Sequence, residues 1–284
     1  MKFIDIHSHL GFEDYGADQT EVLKRMKDLE VATIAVGSNY ANSKDALQVA
    51  KENDDVFACV GIHPDDGHGQ PFDESDFEIL VTSPKVVAIG ECGLDYFSLS
   101  QKFEQGLSLR RSVATGKGES LDEFISIEKS RQKSEFQKQI AFALKHNKPL
   151  MLHLRDGEVK GEAYEDAYNL LKTFAGQVRG NLHFFAGSLD WARKFIELGF
   201  TISFTGVITF ARNYDEVIKN VPLSALQAET DAPFVAPIPY RGKRNEPVYV
   251  IEVYKKLAEI RGESLETVRL ALLENARRVF DLWK

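Results

Sequence analysis

Six side chains of metal-binding type fall at or beside the ends of short apolar runs. His7 and His9 stand at alternate positions in "FIDIHSHL" (3–10). Glu91 closes "VVAIGE" (86–91), His153 closes "PLMLH" (149–153), His183 lies in "GNLHFF" (180–185) and Asp231 closes "ALQAETD" (225–231). Residues two apart on a strand point to the same face, which predicts Asp5, His7 and His9 on one side of the first run. Two imidazoles so placed can grip one ion. An HxH pair alone specifies little, but imidazoles and carboxylates delivered from five runs make a donor set. That set suits Zn, Mn, Fe or Co, and its carboxylates admit Mg. The chemistry expected is hydrolysis, because a divalent ion lowers the pKa of its bound water, to about 7 in favourable zinc sites. Glu91 and Asp231 are the candidate catalytic carboxylates, and Asp231 is of a type that orients such a water or takes its proton.

Bringing these groups together requires a scaffold that gathers strand ends. Three further runs, "VATIAVG" (31–37), "VFACVG" (56–61) and "FTISFTG" (200–206), bring the total of strand-like segments to eight. Each is β-rich and of strand length. Between them, helical spacing predicts amphipathic helices over 20–29, 131–147 and 189–199, where apolar residues recur at i, i+3, i+4 and i+7. Eight strands alternating with helices predict a (β/α)8 barrel, whose functional groups gather at the carboxyl ends of its strands. An open doubly wound sheet is the alternative, but no GxGxxG follows the first strand. No shift in composition marks a boundary, so residues 1–284 are read as one domain. The stretch 97–130 is a long connection after the fourth strand and would stand over the mouth of such a barrel. It carries Lys102, Arg110, Arg111 and Lys117, which suggests a lid or an added nucleic-acid contact.

Composition narrows the class. The 284 residues are 43% hydrophobic and 27% charged, enough for a substantial core. The net charge of −8 argues against broad attraction to nucleic acid or anionic membrane, though a local basic patch or a bound cation would change the sign inside a site. Cys59 and Cys92 form no CxxC pair and lie in apolar runs, which reads as two reduced core thiols. No run approaches the ~18 apolar residues of a membrane span, and the first ten residues lack the apolar stretch of a signal peptide. The expectation is a soluble, cytoplasmic protein.

Other residues are candidates for substrate contacts. His63, in "GIHP" (61–64), ends the third run and could meet a phosphate or cap its strand. Arg155 lies two residues past His153, and its planar fork suits phosphate. "RGKR" (241–244) places Arg241, Lys243 and Arg244 in the loop after the eighth strand, either as solvated surface or as a hold on a polyanion. Asp5, Gln227 and Glu229 could orient ligands from behind, as metal-bound histidines require, or fill the barrel interior.

The chain resembles the TatD family of metal-dependent hydrolases, within the amidohydrolase-like barrels. The resemblance rests on "DIHSH", "GIHP", "GECGLD" (90–95), "RQKSEFQKQIAFA" (131–143), "PLMLHLR" (149–155), "HFFAG" (183–187), "ETDAP" (229–233), "RGKRNEP" (241–247) and "ENARRVF" (274–280), in the family's order over nearly the whole chain. It implies one or two divalent ions per chain, Zn, Mg or Mn, and DNA hydrolysis, with DNA as the substrate partner. By the same resemblance His7 and His9 hold one ion, Glu91 bridges two, His153 and His183 hold the second, and Asp231 touches the first. Two alternatives stay open. One is an ester or amide hydrolase, such as a D-aminoacyl-tRNA deacylase or a small-molecule amidohydrolase. The other is a barrel kept as a non-enzymatic scaffold.

Overall fold

Parallel strands covered by helices on the outside and by side chains within read as unbroken apolar runs. "VATIAV" and "VFACV" are buried at every position. The computed structural model, which describes residues 1–66, 70–110 and 120–283, has eight such strands. They are β1 (Phe3–Ser8), β2 (Val31–Val36), β3 (Val56–Val60), β4 (Val86–Asp95), β5 (Leu150–Arg155), β6 (Gly180–Leu182), β7 (Phe200–Phe204) and β8 (Leu226–Ala228). All pair in parallel, in chain order. The ring closes at a bridge between Ser8 and Ala232, where Asp231 N donates to His7 O at 2.9 Å and His9 N to Ala232 O at 2.7 Å. The fold is the (β/α)8 barrel expected from the alternation of elements.

Among the described residues, ten α-helices surround or cap the barrel: α1 (Gln19–Asp28), α2 (Tyr40–Glu52), α3 (Glu74–Val81), α4 (Leu99–Arg110), α5 (Leu121–Lys145), α6 (Glu162–Leu171), α7 (Leu189–Glu197), α8 (Asp215–Asn220), α9 (Val250–Arg261) and α10 (Leu265–Phe280). Several start at a side-chain cap of the usual kind. Asn39, Ser120 and Ser188 accept from Asn42 N, Glu123 N and Trp191 N respectively. The stretch 97–130 is not a plain connection. It contains α4 and the first ten residues of α5, with 111–119 outside the described residues. Lys102 is committed to an ion pair with Asp65 at 2.6 Å. The side chain of Arg110, together with Arg111 and Lys117, lies outside the described residues.

The barrel interior divides by chemistry. Ile4, Ile6, Ile34, Val36, Cys59 and Met151 pack in one apolar cluster, joined by Ala276, Val279 and Phe280 of α10. On the side of β6–β8 the buried residues Asn181, Thr201, Ser203, Gln227 and Glu229 are polar. Asn181 Nδ2 donates to Ser203 Oγ at 2.7 Å, and Ser203 Oγ donates to Glu229 at 2.6 Å.

Helix α5 does more than cover the sheet. Gln132 and Gln139, seven residues apart and so on one face, each reach a strand end and imitate a peptide group. Gln139 accepts from Ile62 N (2.9 Å) and donates to Ile62 O (2.9 Å). Gln132 does the same to Asp95 N and Asp95 O, both at 2.8 Å. These clamps fix the ends of β3 and β4 just where His63 and Asp95 leave the sheet. Gln139→Ala would leave a buried N–H and C=O without partners, at ~1–3 kcal/mol each. We expect ~2–6 kcal/mol lost in urea unfolding of this variant, and wild-type stability would contradict the clamp.

Candidate metal centre

The HxH pair depends on an irregularity in β1. Asp5 faces Thr33 and Ser8 faces Ala35, so three steps on β1 match two on β2. Ile4 and Ile6 belong to the interior cluster, and Asp5 between them therefore points the other way. The extra residue turns His7 and His9 inward. The expectation that Asp5 shares a side with them is corrected on this point. Asp5 instead ties the barrel seam from behind, accepting from Thr230 N (2.8 Å), Thr230 Oγ1 (2.6 Å) and His7 N (3.2 Å).

Glu91 sits between two glycines for a steric reason. A Cβ on Gly90 would fall on the Met151 carbonyl oxygen, and one on Gly93 on the His153 carbonyl oxygen. Only glycine lets β4 approach β5 this closely, and that approach carries Glu91 to His153. His183 lies one residue beyond β6 and Asp231 three beyond β8, so these two strands are shorter than the apolar runs suggest. Asp231 occupies a left-handed conformation, φ 54°. Its loop is held by the buried Asn245, whose Nδ2 donates to Thr230 O (2.9 Å) and Phe234 O (2.6 Å).

All six predicted ligands meet. Glu91 Oε1 lies 2.8 Å from His153 Nδ1 and 2.7 Å from His183 Nε2, while its Oε2 lies 3.5 Å from His7 Nε2 and 3.8 Å from His9 Nε2. Asp231 Oδ1 faces the second pair, 3.4 Å from His9 Nε2 and 3.7 Å from His7 Nε2. The His7 and His183 rings stack with centroids 4.0 Å apart. Ring nitrogens also face ring nitrogens: His7 Nε2 to His9 Nε2 at 3.4 Å, and His153 Nδ1 to His183 Nε2 at 3.0 Å. Unprotonated, each such pair turns two lone pairs on one another, a contact that a shared cation relieves. Triplets such as His7–His9–Glu91 and Glu91–His153–His183 have donor atoms within 4.8 Å of one another. This donor set fits a divalent metal.

The electrostatics agree. Burial alone would raise the Glu91 carboxyl, yet His183, His63 and His7 hold it well below its usual range. Burial opposes the charged form of His153, but hydrogen bonds to Asp95 and Glu91 outweigh it and hold the ring at about 9. His183 is likewise raised against burial, by Glu91 and Glu229. His7 is lowered, chiefly by burial. Asp231 is depressed against burial by its contact with His9.

The other predicted residues divide. His63 reaches the centre, its Nε2 3.7 Å from Glu91 Oε1, while its Nδ1 accepts from Asp65 N at 3.1 Å. Burial and the neighbouring His153 push it down to about 4, so the neutral ring carries its proton on Nε2. Arg155 lines the same cavity of about 640 Å³ and lies flat on the exposed Phe97 ring at 3.7 Å. No carboxylate pairs with it among the described residues. Arg241, Lys243 and Arg244 do not line this cavity. Arg241 covers Phe210 at 3.8 Å. Arg244 is committed within the protein, forked onto Asp18 at 2.8 and 2.6 Å and donating to Asp14 O at 2.6 Å, which argues against a substrate role. Gln227 is fully buried, with no hydrogen-bond partner for its amide among the described residues. Asp95 is a functional residue that the apolar run ending at Glu91 does not reveal: its Oδ2 lies 2.9 Å from His153 Nε2. The parity of Glu91, Gly93 and Asp95 would have revealed it had the strand been extended past residue 91. No helix is long and apolar enough to cross a membrane among the described residues.

Comparison with known proteins bears on this centre. The family model described as "TatD related DNase" matches residues 4–281. Uncharacterized metal-dependent hydrolase YabD of Bacillus subtilis (strain 168) is 35% identical over 281 residues, covering 97% of this chain and 98% of the relative. YcfH of Escherichia coli (strain K12), also an uncharacterized metal-dependent hydrolase, is 30% identical over 99% of this chain and 97% of its own length. The crystal structure of YjjV, a TatD homologue from Escherichia coli K12, superposes with a TM-score of 0.80 at 27% identity, covering 99% and 98% of the two chains. With a family match over almost its whole length and a barrel that gathers the donor set, this chain belongs to the TatD family of metal-dependent hydrolases.

Proposed function

We propose that this chain hydrolyses phosphodiester bonds of DNA, using one or two divalent ions, Zn, Mg or Mn, held by His7, His9, Glu91, His153, His183 and Asp231. The observation that carries the reading is the division of Glu91, one oxygen toward His153 and His183 and the other toward His7 and His9. A carboxylate so disposed suits a bridge between two ions, the arrangement that serves both the attacking and leaving oxygens of a phosphate. The family description as a DNase supports the substrate class. Two buried, unpaired thiols, Cys59 and Cys92, fit the reducing cytoplasm we assign to it.

When bound, the ions supply an acidified water and positive charge for phosphate oxygens. The protein supplies the rest. Asp231 remains ionised at neutral pH and borders the cavity, where it orients the attacking water and accepts its proton. His63 presents Nε2–H and donates to a phosphate oxygen or to the leaving group. Arg155 meets a neighbouring phosphate from the rim. Lys243, exposed in the loop after β8 and outside the cavity, is assigned a contact with the DNA backbone on its charge alone. A second reading, hydrolysis of the ester of a D-aminoacyl-tRNA, draws on the apolar wall formed by Phe12, Phe184, Tyr214, Phe234 and Val235, which suits an aminoacyl side chain.

One experiment separates the two. Labelled single- and double-stranded DNA are titrated with Zn, Mg and Mn beside an acyl-tRNA control. DNA cleavage that falls ~10²–10⁴-fold in Asp231→Asn supports the proposal, and acyl-tRNA cleavage without DNA cleavage overturns it. Lys243→Glu should weaken DNA binding and lower its salt slope by about 1, and an unchanged slope would remove Lys243 from the substrate path. His153, held at about 9, is protonated in the ion-free protein at pH 7. Binding by His153 would then release a proton, and His183, also raised, would release another, so zinc affinity should rise by ~10-fold per unit or more from pH 7 toward 9. Calorimetry in buffers of different ionisation heat reads this directly, and buffer-independent heats would contradict it.

A further inference from the structure

The two imidazole pairs are supported differently from behind. His153 turns Nδ1 toward Glu91 and His183, and its other nitrogen, Nε2, meets Asp95 Oδ2 at 2.9 Å. His183 turns Nε2 inward, and its Nδ1 faces the Glu229 carboxylate Oε1 at 3.4 Å, an ion-pair contact rather than a formed hydrogen bond. Both backing carboxylates are buried and rigidly anchored. Asp95 is held through its peptide by Gln132 and accepts from Phe97 N at 2.9 Å. Glu229 accepts from Phe184 N at 2.7 Å and from Ser203 Oγ at 2.6 Å. The other pair has no such support. His9 Nδ1 meets only a neutral group, the Val36 carbonyl at 2.9 Å, and His7 Nδ1 has no hydrogen-bond partner among the described residues.

We infer that Asp95 and Glu229 are positioning residues for one ion position only, the one between His153 and His183. The inference rests on the proposed metal centre and adds a division of labour within it. A carboxylate behind a ligating imidazole fixes which nitrogen carries the proton, locks the ring plane and makes the inward nitrogen a stronger donor. Here it acts at opposite nitrogens of two rings, so the proton each ring keeps sits on the outer nitrogen and the one facing Glu91 is the one given up when an ion binds. Loss of such a partner weakens metal binding by ~10–100-fold. The His7–His9 position has its own carboxylate, Asp231, facing it directly, and needs no backing charge.

The test is zinc binding to the purified full-length chain, read by calorimetry and by metal content after equilibrium dialysis. Asp95→Asn and Glu229→Gln keep side-chain shape and the hydrogen bonds accepted from Phe97 N and Phe184 N. Far-UV circular dichroism and the melting temperature of the zinc-free variants check the fold. Each substitution is made in two backgrounds: His9→Ala, which removes the position beside Asp231, and His153→Ala, which removes the other. The expected result is a ~10–100-fold loss of zinc affinity in the His9→Ala background and less than a twofold change in the His153→Ala background. Equal losses in both backgrounds, or none in His9→Ala, overturn the inference, as does a wild-type ion abolished by His9→Ala alone. A wild-type chain that binds no zinc, manganese or magnesium sinks the metal centre itself, an outcome distinct from the others.

Discussion

A carboxylate buried among imidazoles is the constraint around which this barrel is organised. Glu91 is 3% exposed, and a lone ionised carboxylate at that depth would be prohibitively costly. It is tolerated because His153 and His183 contact one of its oxygens while His7 and His9 face the other. The same four rings crowd one another closely enough to need a positive charge among them. Much of the surrounding architecture follows from keeping this arrangement rigid. The glycines beside Glu91 allow the close strand approach, α5 clamps the strand ends, and the polar interior of β6–β8 anchors Glu229.

Much of this was legible in the chain. Parallel strands buried on both faces read as continuous apolar runs, and the six candidate ligands stand out because each falls near the end of such a run. Strand limits were less legible. β4 continues to Asp95 because Gln132, 37 residues away in sequence, replaces the pairing its end would otherwise lack. β6 and β8 stop early because the backbone turns at once to aim His183 and Asp231. Asp5 departs from strict alternation because β1 carries an extra residue between Asp5 and Ser8, which its residue types do not reveal.

Cationic residues were the least predictable. Arg244 looked like part of a surface charge run, yet its partner Asp18 is 226 positions away in the sequence. Arg155 and Arg241 lie on phenylalanine rings, which no charge count could anticipate. The long stretch 97–130 concealed helix because its apolar residues do not all face the core. Leu121 and Ile127 of α5 are exposed, so the stripe that normally betrays a buried helix face is blurred.

The seam of the barrel has a consequence for biogenesis. Glu91, His153 and His183 come from successive strands in the middle of the chain, whereas His7 and His9 meet Asp231 only where β1 closes against the segment after β8. During translation the first histidines emerge more than 220 residues before their carboxylate partner. Until the segment after β8 leaves the ribosome, His7 and His9 lack the carboxylate that faces them. A nascent chain that has not yet grown past Asp231 therefore lacks the carboxylate that faces His7 and His9.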